Sequence, residues 1–478
     1  MPQPITPTQH RPGQSLSLLS RTQKGKNVPR IRSLSLLGSA REMQRDPLGF
    51  LTRTQGYGEV VRLRFLFSPT YLISHPESIK HVLQENARNY NKDLVTYKMF
   101  EPILGQGLLI NDGPSWLHQR RLIQPAFHRT RLTTYGTPMT DATVAMLERW
   151  QACSDTEVPL QMAKEMMQLT LRIVGQALLN LDLSQETSTV GPAVTTLLEL
   201  LADYLFRPFP PLSVPTPRNR HLQLAIHELD QVVYRIIAER RRQQTDTGDL
   251  LSMLLLARDE ETGQGMNDRQ VRDEVQTLLL AGHETTANTL TWTWYLLSEH
   301  PEVERRLHAE LHGVLGGRVP TVEDLPDLKY TRMVLEEALR LYPAAPLLSR
   351  KAIADDELKG CHVPANSMIL ISPYAMHRHP AFWEEPERFE PERFAPEPSA
   401  ARPAYAYFPF GGGPRVCIGN HFAMMEAQLI LATVAQRSQA RLVPGHQVEP
   451  QMLVTLRPRY GLPMTIHARG GRQSHPVK

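Results

Sequence analysis

Cysteine is scarce. The chain of 478 residues holds three, Cys153, Cys361 and Cys417, far apart and with no Cys-x-x-Cys pair. That spacing argues against structural zinc and against an even-numbered disulfide framework, and it suits a reducing compartment. No run of about 20 apolar residues occurs, so no membrane span is read. Internal repeats and charged low-complexity blocks are missing too. The net charge of +4 is too slight a basic excess to imply nucleic acid. Acidic side chains are absent from the first 41 residues, which carry Arg11, Arg21, Lys24, Lys26, Arg30, Arg32 and Arg41 among many Ser and Thr. That composition resembles an organelle transit peptide, but the simpler reading is a mobile basic segment over residues 1–40.

What is present is a large apolar fraction, 41% of residues, enough for a sizeable core. Length alone suggests about three domains. A single large fold around one cofactor also uses such a length. The chain is organised around Phe410-Gly411-Gly412-Gly413-Pro414-Arg415-Val416-Cys417-Ile418-Gly419, which runs straight into an amphipathic helical stretch from Asn420 to Leu429. Three glycines and a proline impose a tight, non-helical turn. The turn delivers Cys417 just ahead of a helix N-terminus, where free N–H groups and the helix dipole favour a thiolate. Gly419 lets the backbone approach the sulfur, and Arg415 can reach an anion bound beside the turn. A buried cysteine in a glycine-rich loop is the plainer reading. The whole pattern, Phe-x-x-Gly-x-Arg-x-Cys-x-Gly before a helix, is more specific. It resembles the haem-ligand loop of the cytochrome P450 family.

Three further patterns carry the same resemblance. Trp116 and Arg120 lie four apart on one helical face. Their plain reading is a surface arginine stacked on an indole; the family places such a pair on a haem propionate. Asn267 with Gln270 makes a capping box, and a long helix is expected from there to His300, stopped by Pro301. Its centre, Ala281-Gly282-His283-Glu284-Thr285-Thr286, is prone to distortion. It resembles the family's oxygen-activation motif, with His283 at the variable place and no role assigned. Glu337 and Arg340, three apart, would by themselves be a solvated ion pair. Here they sit in an apolar helix before Tyr342-Pro343 and match the family's Glu-x-x-Arg, with Arg393 as the third member of a structural ion network.

The resemblance covers about residues 45 to 467. Leu36-Leu37-Gly38 and Asp46-Pro47-Leu48 resemble the start of the family's ordered part. It implies a fold that is mainly α with a smaller β-region fed by both chain ends, a single domain over 41–478. Two lid helices are expected over roughly 187–206 and 219–244, separated by the five-proline stretch 207–217. Haem b (heme, iron protoporphyrin IX) would lie between the long helix and the Cys417 loop. Cys417 would be the metal ligand, with Trp116, Arg120, Ala281, Arg350, Phe410, Gly411, Arg415 and Gly419 also holding the cofactor. Glu284 and Thr285 would deliver protons. Tyr97, Met99, Phe100, Leu104, Ala281, Leu347, Leu348, Thr455 and Leu456 would face an apolar substrate. The implied activity is monooxygenation by a cytoplasmic monomer, with electrons from NAD(P)H through a separate ferredoxin or flavoprotein reductase. A peroxide-driven haem enzyme often lacks the acid–alcohol pair, so Glu284 and Thr285 speak against it. A non-catalytic haem sensor would show haem spectra without turnover. A helical scaffold without cofactor would leave Cys417, Trp116, Arg120 and Arg415 with no shared purpose.

Overall fold

The computed structural model describes residues 29, 39–65, 69–152, 158–180, 197, 212, 214–243, 246–258 and 263–469. The long helices are α1 (Gly113–Ile123), α2 (Gly136–Ala152), α3 (Met162–Leu179), α4 (Pro217–Gln243), α5 (Asp268–Glu299), α6 (Pro301–Leu315), α7 (Lys329–Leu341) and α8 (Asn420–Arg437). The expected lid helix near 187–206 and most of the proline stretch lie outside the described residues. The second lid helix is α4.

Local chemistry sets the limits of α5. The Asn267 side chain accepts from the Gln270 amide at 2.9 Å and Gln270 Oε1 accepts from the Asn267 amide at 2.9 Å, a complete capping box. The helix ends ahead of Pro301, which opens α6 from its first position. The centre of α5 stays α-helical through Gly282. The hydroxyls of Thr285, Thr289, Thr291 and Thr293 each donate to the carbonyl four residues earlier, at 2.7–2.9 Å. These bonds satisfy the threonines inside the helix, which stays α-helical throughout.

α8 is the hub of the helical half and packs on α2, α5, α6 and α7. Its consecutive residues Leu429, Ile430, Leu431 and Ala432 are all fully buried, so the helix is covered on every side. The smaller half is a five-stranded sheet of β1 (Val60–Arg64), β2 (Pro69–Ile73), β3 (Tyr90–Asn91), β4 (Leu348–Ala352) and β5 (Met368–Ile371), in the order β1-β2-β5-β4-β3. β2 and β5 run parallel, with Leu72 opposite Leu370, and this pair ties the N-terminal part to the C-terminal part. β4 is antiparallel to β5, with Arg350 opposite Ile369. A hairpin of β6 (Pro450–Met452) and β7 (Leu456–Pro458) lies against α5.

A short helix starts at Ser39, whose fully buried hydroxyl accepts from the Arg64 amide at 3.1 Å, and the Pro29 carbonyl accepts from the Arg62 amide at 2.9 Å. Both contacts add backbone partners to β1.

Candidate active site around Cys417

The Cys417 turn is held by its backbone. The Cys417 amide donates to the Phe410 carbonyl at 3.0 Å, closing the loop on itself. Gly413 has φ +64°, and a Cβ there would fall on the Leu83 carbonyl, so only glycine fits. The turn thereby presents the Cys417 side chain to a cavity of about 350 Å³ between the loop and the middle of α5. Ala281, Gly282 and Thr285 form the opposite wall. Burial pushes the Cys417 thiol up, against the Gly419 amide and Arg120, which pull it down. Cys417 is nonetheless exposed to the cavity, so its sulfur is accessible to a bound group, and a cation at the sulfur would favour the thiolate.

One rim of the cavity collects cations. Lys92, Arg120, Arg350 and Arg415 all line it, together with Trp116. Arg120 donates to the Val416 carbonyl at 3.0 Å, and Arg350 to the Ser349 carbonyl at 2.8 Å. Arg415 donates to the Asn111 carbonyl at 2.8 Å, pairs with Asp112 and lies 4.2 Å from the Trp116 ring centre. The indole thus does carry a stacked arginine, but it is Arg415 rather than Arg120. Lys92 donates to the Leu109 carbonyl at 2.6 Å. Burial and the charges of Arg350 and Arg415 hold its ammonium well below the usual lysine range, with Asp112 opposing them. Four cations meet one carboxylate on this rim. Such a surplus is costly unless an anionic group is bound there.

The remaining wall is apolar, including Val174, Leu178, Leu278, Leu348, Phe410 and Phe422. A sulfur on one face, a cationic rim and flat apolar walls fit an iron porphyrin that carries two carboxylates. The donor set therefore suits the group that the sequence implies.

The structure sorts the expected site residues. Trp116, Arg120, Ala281, Arg350, Phe410, Gly411, Arg415, Cys417 and Gly419 all line the cavity, as do Thr285, Tyr97 and Leu348. Met99, Phe100, Leu104, Leu347, Thr455 and Leu456 are not on its wall. Phe100 and Leu104 are buried against α4 and α5 in the lid-side core, and Leu456 is fully buried in the core beneath the sheet. Thr455 is taken up by polar contacts: its hydroxyl donates to Glu284 Oε1 at 2.8 Å and accepts from Asn288 Nδ2 at 3.0 Å. Glu284 is likewise off the cavity wall, buried against the β6–β7 hairpin, and burial pushes its carboxyl up.

Sequence reading missed two residues. Lys92 and Asp112 belong to the cationic rim, Asp112 accepting from the Lys92 amide at 2.5 Å. A cation and an anion 20 residues apart leave no periodic signal, and only the folded loop joins them to Arg415.

Glu337 and Arg340 are both fully buried, with Arg340 Nε at 2.6 Å and Nη2 at 2.7 Å from the carboxylate. Arg340 also donates to the carbonyls of His377, Pro386 and Arg388, and Arg393 sits 3.5 Å from Glu337. The pair is therefore an interior clamp on the irregular segment before the Cys417 loop and not a solvated surface bridge.

A mainly helical fold with small sheets, closed on a cavity with a single cysteine, defines a class of cofactor enzymes. Comparisons give the family. The family model for cytochrome P450 matches residues 28–463. Cyclooctatin synthase of Streptomyces melanosporofaciens is 40% identical over 90% of this chain and 94% of its own. Pentalenene oxygenase of Streptomyces avermitilis is 36% identical over 89% of this chain and 93% of its own. The crystal structure of the cytochrome P450DA heme domain superposes with a TM-score of 0.85, at 26% identity, over 92% of this chain and 98% of that one. The chain belongs to the cytochrome P450 family, and with it come haem as cofactor and monooxygenation of an apolar substrate as activity. Among the described residues no helix is long and apolar enough to cross a membrane.

Proposed function

We propose that the substrate is a terpenoid: a bulky, largely hydrocarbon molecule that is hydroxylated or oxidised in the Cys417 cavity. The observation that carries this reading is the cavity wall above the expected haem plane. Val174, Ala177, Leu178, Leu250, Leu278 and Ala281 offer shape and almost no hydrogen bonds, which suits a substrate held by burial alone. The relatives named cyclooctat-9-en-7-ol 5-monooxygenase and pentalenene oxygenase support the class.

In this reading Cys417 ligates the iron, and Arg120, Arg350, Arg415 and Lys92 with Trp116 hold the propionates. The cofactor, once loaded and reduced, supplies the oxidising chemistry. The protein's part is position, exclusion of water and proton supply. Thr285 faces the cavity and donates to the Ala281 carbonyl at 2.7 Å, so its oxygen lone pairs stay free to order a water. Glu284 lies one residue away beside Thr455 and, as a carboxyl raised by burial, can hand on a proton once its contact with the hairpin breaks. Electrons come from NAD(P)H through a separate acidic ferredoxin or a flavoprotein reductase, received by a cytoplasmic monomer. Arg121, Arg129 and Arg131, on the elements next to the Cys417 loop, would steer that partner.

The test is a panel of cyclic terpene hydrocarbons and alcohols, titrated against the haem spin state and then turned over with a surrogate ferredoxin and reductase. Spin-state shifts and oxygenated products confined to the terpenes support the reading. A response confined to small polar or phosphorylated compounds contradicts it.

A further inference from the structure

A second cavity, of about 440 Å³ and open to solvent, lies on the outer side of the segment Gly105–Leu108. Its lining is polar and includes Glu101, Asp230, Arg269 and Asp273. The same short segment ends in Leu108, whose side chain is on the wall of the Cys417 cavity. The segment therefore runs from the outer basin at Gly105 to the substrate space at Leu108, beside α5, which lines both.

That backbone is held by side chains of α5. Asp273 Oδ2 accepts from the Gln106 amide at 2.9 Å, and Glu274 Oε2 accepts from the Leu108 amide at 3.1 Å. Two glycines permit the approach. Gly105 has φ +55°, and a Cβ on it would fall inside the Asp273 carboxyl. A Cβ on Gly107 would press on the Thr277 hydroxyl. From the other side Gln119 of α1 donates to the Gln106 carbonyl at 2.9 Å. Glu274 is fully buried, and its second oxygen has no hydrogen-bond partner, nor has the buried Thr277 hydroxyl. A buried carboxyl is costly, and its one bond here goes to the cavity-wall segment.

We propose that Glu274, with Asp273 beside it, latches the Gly105–Leu108 segment as the wall between the outer basin and the substrate cavity, so that Glu274 is a positioning residue that sets the size limit for substrates. The proposal rests on the reading of the Cys417 cavity as the substrate site. While latched, Leu108 closes the cavity. When the amide is released, Leu108 withdraws and the cavity gains the volume of the basin.

Hydrogen exchange reads the latch without haem or substrate. In the full chain the amides of Gln106 and Leu108 are expected to exchange slowly. Glu274→Leu removes the acceptor and should speed Leu108 exchange about tenfold or more, the loss of one buried hydrogen bond. Glu274→Gln keeps an acceptor oxygen and should stay within about twofold. Burial and the neighbouring Asp273 charge push Glu274 up to about 8, against the Leu108 amide, so glutamine mimics its neutral form. In the haem-loaded variants, binding of 4-phenylimidazole and the bulkier clotrimazole reads the size limit. Glu274→Leu should raise the association rate for clotrimazole several-fold more than for 4-phenylimidazole, and Glu274→Gln should restore the ratio. A general loss of stability would lower the melting temperature and leave that ratio unchanged. If Glu274→Leu does not accumulate as folded protein, Gly107→Ala serves, because its Cβ must lift the segment off Thr277 with the same expected effects. Unchanged exchange at Leu108 in these variants, or a glutamine variant as fast as the leucine one, overturns the latch. Faster exchange with an unchanged ligand ratio overturns the size limit and, with it, Glu274's assignment as positioning residue. Failure of the terpene screen alone leaves the exchange result standing and faults the substrate reading.

Discussion

Two charge clusters, one fully buried around Glu337 and one half-buried on the cavity rim, differ above all in how their charges are matched. Around Glu337 every charge is matched: Arg340 and Arg393 meet the carboxylate, and Arg340 spends its other donors on three carbonyls. On the cavity rim, Lys92, Arg120, Arg350 and Arg415 gather, and among the described residues only Arg415 and Lys92 of these four meet a carboxylate, Asp112. The first cluster is complete within the protein and holds the scaffold. The second is complete only when an anion is bound. Satisfaction, more than burial, separates scaffold from site here.

The sharpest way to break the comparison is to remove one partner of the closed cluster. Arg340→Ala leaves Glu337 buried with only Arg393 at 3.5 Å and the Glu390 amide as partners, and should cost about 3–5 kcal/mol. Urea unfolding, or the yield of soluble haem-loaded protein, measures it; a variant of wild-type stability would show that the cluster is not a clamp.

Glu426 on α8 sharpens the contrast from another side. It is fully buried and neither oxygen has a hydrogen-bond partner; the Thr286 hydroxyl donates instead to the Gly282 carbonyl at 3.2 Å. Burial pushes it up to about 8. A carboxyl raised by folding contributes stability that is full below its unfolded pKa and is lost as pH rises toward 8. Glu426→Gln should therefore match the native protein below about pH 4.5 and exceed it at pH 8 by on the order of 4 kcal/mol. Denaturant unfolding at the two pH values measures it. Equal pH dependence in both proteins would mean that Glu426 is matched in solution.

The open cluster predicts opposite effects on scaffold and ligand. Lys92→Met removes a cation from a crowded rim, so the haem-free protein should be as stable or slightly more stable. Haem should leave about tenfold faster, the loss of roughly one charge-assisted contact. Haem transfer to excess apomyoglobin measures the rate. A slower or unchanged rate would remove Lys92 from the cofactor site.

The smallest expected effect is on coupling. Thr285→Ala should fold, load haem and bind substrate, yet give several-fold less product per electron and more free peroxide, less than the ~10²–10⁴ of a fully committed proton donor because water can substitute. Product and peroxide per reductant consumed decide it. Unchanged coupling would leave the Ala281 bond as the whole role of Thr285.

Much of this was legible in the sequence where signals are local. The Asn267 capping box, the Pro301 stop, the Gly-rich turn and the spacing of Glu337 and Arg340 each act over a few residues, and each appears in the structure as expected. Long-range consequences were not legible. Thr455 lies on a hairpin whose fold-back against α5 turns it toward Glu284, 171 residues away, so no pattern marked it as leaving the cavity wall. Arg415 displaces Arg120 from the Trp116 ring because a loop 299 residues later in the chain delivers it there. The pKa of Cys417 shows the same limit. The helix terminus is visible in the sequence, but the desolvation that pushes the thiol up is a property of the packed fold.

The central claim is that the open cluster and Cys417 together form a haem–thiolate site. The most direct measurement is the absorption spectrum of the reduced carbon-monoxide complex of the native protein and of Cys417→His. The account predicts the red-shifted band of thiolate-ligated haem in the native protein and its loss in Cys417→His while haem remains bound. The band persisting in Cys417→His would contradict it.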